Sequence, residues 1–180
     1  RVNKSTRGLQ IRYALNYGLS GIPFWQGGEI SSMAPPMIPA ELQVRLRPYT
    51  YTTWRAAHEK GMPVVRAMVL EDQDDPQMYE ADTQFLFGPD LLIAPLVKGS
   101  RNWRASFFSE ERPETEREGH RYVLGQMDWQ RVYIPAGEWI HYWSQKKYQG
   151  PGWQYFRPED GLETLLVRGG AIVPQGPEVE

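Results

Sequence analysis

The sequence predicts a chain that is α/β in its first half and all-β in its second. Residues 6–88 alternate helix-like segments with continuously apolar, strand-like segments, as in a fold with a buried, mostly parallel sheet. From about Pro89 onward, short apolar segments recur between Gly- and Pro-rich turns, which is typical of an antiparallel β-sandwich. The 180 residues suffice for one medium or two small domains. We place two units, at residues 1–88 and 89–180.

The first half is predicted to hold two helices, each followed by a strand. Ser5 or Thr6 can cap the first helix, Pro48 should kink or split the second, and Gly61 should end it. The predicted elements are, in order, a helix over 6–18, a strand over 19–25, a helix over 40–60 and a strand over 64–69. This is the pattern of the last two βα units of a (β/α)₈ barrel.

The second half is predicted to be a set of short strands with one charged surface insertion. The predicted strands are 90–97, 122–124, 131–134, 138–143, 163–167 and 171–174. Turn signals separate them at 135–137, 149–152 and 168–170. Residues 101–119 are rich in Glu and Arg, and we interpret them as an insertion between strands.

Composition excludes several classes of function. The net charge of −2 gives no basic surface for nucleic acid, and the absence of cysteine excludes disulfides and thiolate metal sites. No apolar run reaches the roughly 20 residues of a membrane span, and the N-terminus is not a signal peptide. These features fit the cytoplasm and leave the compartment open. The missing initiator Met suggests a processed, excised or incomplete chain. No cofactor or metal is predicted.

Five motifs carry a resemblance to a known family. They lie at Pro48–Thr52, Ala57–Arg66, Gln84–Pro95, Val132–Trp139 and Leu166–Pro174. In their residues and their order they resemble the C-terminal end of glycoside hydrolase family 31, the α-glucosidase and α-xylosidase family. The resemblance implies the end of a catalytic barrel followed by the proximal β-sandwich.

The resemblance also implies where the chemistry lies. Family members hydrolyse α-glycosidic bonds with retention, which needs two carboxyl groups roughly 5–5.5 Å apart. In the family, both catalytic Asp residues precede the helix that here begins near Thr6. We therefore expect the catalytic pair to lie outside this chain, and the isolated chain to be inactive. The implied partners are an oligosaccharide or glycoside and the remainder of the barrel, on the same or a separate polypeptide.

Glu29 and Trp25 are the candidate substrate-binding residues. Glu29 follows Gly27-Gly28 and stands where the family has an Asp that lines the sugar pocket. Trp25 ends the predicted strand beside it and could form an aromatic wall for a sugar ring. The competing interpretations are a solvated loop carboxylate and a plug of the barrel mouth. The family's next segment, with its Arg-x-His, is replaced here by Met33–Pro39.

The remaining charged residues favour structural roles. Arg66 lies in an apolar segment, where it needs a carboxylate or several carbonyls, so an ion pair is favoured over catalysis. His58 is interpreted as a helix-packing residue rather than a catalytic base. The acidic run 71–76 is interpreted as a solvated turn rather than a metal site.

A non-catalytic module is the alternative function. The chain contains 7 Trp and 10 Tyr, and flat aromatic rings can stack on pyranose faces. In this alternative, Trp139, Trp143 and Trp153 form a carbohydrate-binding face on the β-sandwich, or the sandwich is purely structural.

Overall fold

The computed structural model describes residues 7–22, 38–97, 100, 103–106, 127–157 and 162–177. The helices are α1 (Arg7–Leu19), α2 (Ala40–Arg45), α3 (Arg47–Lys60) and α4 (Gln77–Glu80), with a 3₁₀ turn at Met68–Leu70. The strands are β1 (Val65–Arg66), β2 (Phe85–Phe87), β3 (Leu91–Ala94), β4 (Trp103–Ser106), β5 (Met127–His141), β6 (Lys147–Phe156) and β7 (Thr164–Arg168).

The helices follow the local signals of the sequence. The predicted second helix is split at Leu46 into α2 and α3, and Pro48 lies in the first turn of α3, where its missing N–H costs nothing. Gly61 ends α3 in the left-handed conformation, with φ of 72°. Helix α1 continues to Leu19, so the start of the predicted strand 19–25 is wrong; Pro23–Trp25 lie outside the described residues.

The strands of the described residues form one seven-stranded sheet in which each pairing is antiparallel. The order is β1-β2-β3-β7-β5-β4, and β6 pairs with the other edge of β5. Strand β7 lies between β3 and β5, pairing Leu92 with Leu166 on one side and His141 with Leu166 on the other. The expected parallel strand at 64–69 is therefore wrong within the described residues. Only Val65–Arg66 forms a strand there, and it pairs antiparallel with β2.

The error at 64–69 has a simple physical cause. The segment is apolar at each position except Arg66, and Val64, Val65, Ala67 and Met68 are all buried. A short continuous apolar run does not distinguish a strand from another buried segment. Here the chain leaves the sheet after Arg66 and forms a 3₁₀ turn.

Strand β5 pairs with β4, β6 and β7, and a β-bulge interrupts it between the segments that contact β4 and β7. The pairing with β6 shifts between Ile134 and Gly137, where β5 carries one residue more than β6. Residues 139–141 pair with β7, whereas residues 127–130 pair with β4. The expected turn at 135–137 is thus a bulge inside one long strand.

The expected turn at 149–152 is also wrong, because these residues lie inside β6. A Cβ on Gly150 would lie 1.9 Å from the carbonyl oxygen of Pro135, so glycine serves a close approach of two strands at the bulge. Ala171–Pro174, expected as a strand, has no regular structure. Strand β4 lies within the expected insertion 101–119, most of which falls outside the described residues, as do Tyr122–Leu124.

Alternate residues of the central strands face two different cores. Phe85, Phe87, Leu91 and Ile93 pack in a first core with α1, α2 and α3. Leu86, Leu92 and Leu166 pack in a second core whose other members include Val132, Ile134 and Trp139 of β5. The central strands therefore lie between a helical layer and a β layer, which fits a β-sandwich covered by helices. The expected barrel units are not shown by the described residues.

Candidate functional site

A polar junction lies where α3, β1, β3 and β7 come together. Its centre is the phenol of Tyr49, whose Oη donates a hydrogen bond to the carbonyl of Phe87 (2.9 Å) and accepts one from the backbone N–H of Asp90 (3.1 Å). Burial raises the pKa of Tyr49, and the nearby Asp90 carboxylate raises it further. Tyr49 is therefore a neutral, structural hydrogen-bonding group that holds the β2–β3 hairpin against α3.

Arg66 contributes to this junction through a side-chain hydrogen bond to a backbone carbonyl. Its Nε donates to the carbonyl of Pro63 (3.0 Å), and within the described residues no carboxylate lies within ion-pair distance of it. Burial lowers the pKa of Arg66, while the nearby carboxylates of Glu71 and Asp90 act in the opposite direction. The expected ion pair is thus replaced by one carbonyl contact in an acidic neighbourhood.

Arg168 makes the ion pair that the sequence did not predict. Its guanidinium pairs with Glu71 at 2.5 Å, its Nε donates to the carbonyl of Pro89, and it lies 4.6 Å from the ring centre of Trp139. The two charged partners are 97 residues apart in the chain, so no local pattern could have indicated the pair.

The acidic run 71–76 is a turn attached to the β layer. Asp72 and Asp74 are exposed, as predicted for a solvated turn. Asp75 departs from that prediction, because its carboxylate accepts hydrogen bonds from the Tyr133 hydroxyl and from the N–H of Gln77. Burial and the hydrogen bond to Asp75 raise the pKa of Tyr133 to about 12. In the described part of the chain, no group of three or more His, Cys, Asp or Glu side chains is placed to hold a metal ion.

The three tryptophans of the proposed carbohydrate-binding face do not share a face. Trp139 is fully buried in the second core, with its indole N–H donated to the carbonyl of Pro135. Trp143 packs against the first core, whereas Trp153 packs against the second and lies under Arg131 at 3.9 Å. The structure therefore gives no support to the stacking surface that the alternative function required.

His58 is exposed near the end of α3, so its expected role in helix packing is wrong. The face of α3 that packs inward instead carries Tyr49, Thr53 and Ala57, at the i, i+4 and i+8 positions. His58 lies one residue beyond Ala57 and points away from this face.

A groove of about 300 Å³ lies between α1 and residues 67–82. Leu15 and Leu19 of α1 form one wall, and Met68 and Met78 contribute to the other. Arg12 and Asp82 also line the groove and form an ion pair at 3.2 Å. Its lining is mostly apolar, and it is separate from the polar junction.

Comparison with known proteins decides the family. Residues 61–112 match the sequence profile of the Glycosyl hydrolase family 31 C-terminal domain. Over 139 residues, or 74% of the chain, it is 30% identical to Alpha-glucosidase 2 of Bacillus thermoamyloliquefaciens. It is 24% identical to an Alpha-xylosidase of Saccharolobus solfataricus, a match that covers 94% of the chain.

The chain belongs to glycoside hydrolase family 31. A solved family 31 dextranase of Flavobacterium johnsoniae, in complex with isomaltotriose, covers 99% of the chain at 25% identity with a TM-score of 0.58. The chain spans 14% of Alpha-glucosidase 2, 26% of the Alpha-xylosidase and 20% of the dextranase. It thus corresponds to a C-terminal portion of family 31 enzymes.

The family 31 motifs now have structural explanations, whereas the predicted sugar contacts do not. The Pro-Tyr and Gly-Pro-Asp motifs supply Tyr49, Gly88 and Asp90, which form the polar junction. Glu29 and Trp25 lie outside the described residues and stay predictions. In the described part of the chain, no helix is long and apolar enough to cross a membrane.

Proposed function

We propose that this chain is the C-terminal part of a retaining α-glycosidase that hydrolyses α-glucosides or α-xylosides. The observation that carries the proposal is the family 31 match at residues 61–112, together with relatives named as an α-glucosidase and an α-xylosidase. The catalytic carboxylate pair would lie in the part of the relatives that this chain does not span.

The roles of three described carboxylates support that placement of the chemistry. Glu71 is paired with Arg168, Asp75 accepts from Tyr133, and Asp82 is paired with Arg12. A retaining glycosidase needs two carboxyl groups that face one another across a sugar, roughly 5–5.5 Å apart. Carboxylates that anchor turns and strands are not available for that chemistry.

Within this proposal, residues 1–88 would carry the end of a (β/α)₈ barrel and residues 89–180 most of the β-sandwich that supports it, with β1 and β2 joining the sheet of that sandwich. Glu29 and Trp25 would line the sugar pocket, since they follow α1 at the position of the family's sugar-binding loop. The partners would be an oligosaccharide or glycoside and the remainder of the barrel. The polar junction would hold the supporting layer together without touching substrate.

Hydrolysis of an aryl α-glucoside and an aryl α-xyloside tests the proposal. We expect no turnover by the 180-residue chain and measurable turnover by the polypeptide or complex that contains it in its source cells. In that material, Glu29→Gln should lower kcat/KM by roughly 10- to 100-fold, because a charged hydrogen bond to the sugar is lost.

Glu41→Gln is the matched control, because Glu41 is an exposed carboxylate in the first turn of α2. It should leave kcat/KM within about twofold of the unaltered enzyme. Turnover by the isolated chain that survives Glu29→Gln would refute the placement of the catalytic pair outside it.

A further inference from the structure

Helix α1 carries apolar residues on two opposite faces. The inward face, with Ile11, Ala14 and Leu15, is buried in the first core. The opposite face carries Leu9, Tyr13 and Tyr17, which are spaced four residues apart and therefore lie in one row. These three residues, the outer stripe of α1, are 52%, 59% and 46% exposed. A surface helix normally presents polar residues on its outer face.

The apolar surface extends beyond the outer stripe. Leu19 at the end of α1 is 51% exposed, and Tyr79 of α4 is 62% exposed; both line the groove described above. The nearby charge of Arg12 is engaged by Asp82. An apolar helix face next to a groove that can receive a side chain has the character of a protein–protein interface.

We propose that the outer stripe of α1 is the surface on which this chain docks against the catalytic portion of a family 31 enzyme. This inference rests on the proposed function and names the contact surface for that partner. Helix α1 precedes residues 61–112, which match the C-terminal domain, so it lies toward the portion that the relatives have in addition. That portion is the larger part of each relative, since the chain spans only 14% to 26% of them.

The area of the outer stripe argues for this occupant over a second copy of the chain. A leucine and two tyrosines at about half exposure offer roughly 300–400 Å² per copy. Two copies would bury about 700 Å², below the roughly 1,200 Å² of a stable, specific interface. Docking within one polypeptide or a larger assembly needs less area, because the parts are held together elsewhere.

Site-specific photo-cross-linking tests the docking surface. The gene is altered at its native position in the source cells so that the protein carries p-benzoylphenylalanine in place of Tyr13. The cross-linked peptides are then sequenced by mass spectrometry. We expect peptides from a family 31 catalytic portion, whether on the same polypeptide or another. The same replacement at Tyr51, which is 69% exposed on α3, is the matched control and should give at least tenfold less of this product.

The outcomes separate this inference from the proposed function. Cross-links from position 13 to a second copy of the chain, to unrelated proteins, or to none would overturn the docking surface. If aryl α-glycoside hydrolysis is still present in such material, the proposed function stands while the docking surface falls. A double variant, Tyr13→Asp with Tyr17→Asp, should also lower the recovered hydrolytic activity at least tenfold through failed assembly, and unchanged activity would contradict the proposal.

Discussion

Gly88 closes the β2–β3 hairpin in the left-handed conformation, where a side chain is strained and, at this position, would also clash. Its φ is 62°, and a Cβ there would lie 2.4 Å from both the Tyr49 hydroxyl and the Thr53 methyl carbon. The clash involves the phenol at the centre of the polar junction. The glycine of the Gly-Pro-Asp motif is therefore explained by packing and backbone geometry, without reference to substrate.

We expect Gly88→Ala to destabilise the chain by roughly 3 kcal/mol or more, since it adds a steric clash to a left-handed backbone penalty of about 1–2 kcal/mol. Gly61→Ala is the control, because Gly61 has φ of 72° and no atom within 4 Å of its added Cβ. It should lose only about 1–2 kcal/mol. Urea unfolding of both variants measures the difference, and equal losses would contradict the clash.

Tyr133 makes the free energy of unfolding depend on pH in the alkaline range. Its pKa in the folded chain is about 12, raised by burial and by the hydrogen bond to Asp75, whereas an unfolded tyrosine titrates near 10. The folded state holds the proton more tightly, so this contribution is complete below about pH 10 and is lost as the pH rises through about 12. Tyr49, whose pKa is also raised, acts in the same direction.

We expect the free energy of unfolding to fall between about pH 10 and pH 12, and to fall less steeply in Tyr133→Phe, which has no phenolic proton to lose. Urea unfolding at several alkaline pH values measures this slope. Tyr51→Phe, at an exposed site, should keep the slope of the unaltered chain. A slope that Tyr133→Phe leaves unchanged would show that this phenol does not carry the effect.

At the scale of single elements, β5 is unusual because it pairs with three strands, β4 and β7 along one side and β6 along the other. Its bulge between Ile134 and Gly137 lets Trp139 enter the second core while Val132 and Ile134 enter the same core from the other arm. Side chains alternate along a strand, so a shift of one residue would turn either arm over. The extra residue at Pro135-Ala136 is thus a requirement of the fold.

We expect deletion of Ala136 to cost about 4 kcal/mol or more, or to abolish folding, because it forces one arm of β5 out of register. Ala136→Ser, at the same exposed position, should change stability by less than about 0.5 kcal/mol. Circular dichroism with urea unfolding reports both outcomes. A deletion variant that unfolds at the original midpoint would show that the bulge is dispensable.

At the scale of the whole molecule, the two cores share the central strands. Leu92 and Ile93 are neighbours in β3, both with no exposed surface, and they point into the second and first core respectively. Loss of packing on either side should therefore weaken the same strands. The helical layer and the β layer should unfold together.

We expect Leu92→Ala and Ile93→Ala each to cost about 2–5 kcal/mol, because each leaves a cavity in a closely packed core. In both variants, far-ultraviolet circular dichroism and tryptophan fluorescence should give the same unfolding midpoint. Separate midpoints in either variant would show that the layers unfold independently.

The sequence predicted features that depend on neighbouring residues and missed those that depend on distant ones. Pro48 and Gly61 set the boundaries of α3 through local backbone chemistry, and both predictions are confirmed. The continuity of β5 through Pro135 depends on β6 and β7, and the pairing of Glu71 with Arg168 joins residues 97 apart. For the candidate site, Glu29 and Trp25 lie outside the described residues and remain predictions.

The position of β7 has a consequence for how the protein is made. Because β7 fills the space between β3 and β5, the sheet stays divided until residues 164–168 have left the ribosome. During synthesis, the nascent chain therefore carries two additional open strand edges, at β3 and at β5, which β7 later closes and which can each pair with another chain. We expect ribosome-bound chains that end at Phe156 to require chaperone binding, which chains released after Arg168 would no longer need.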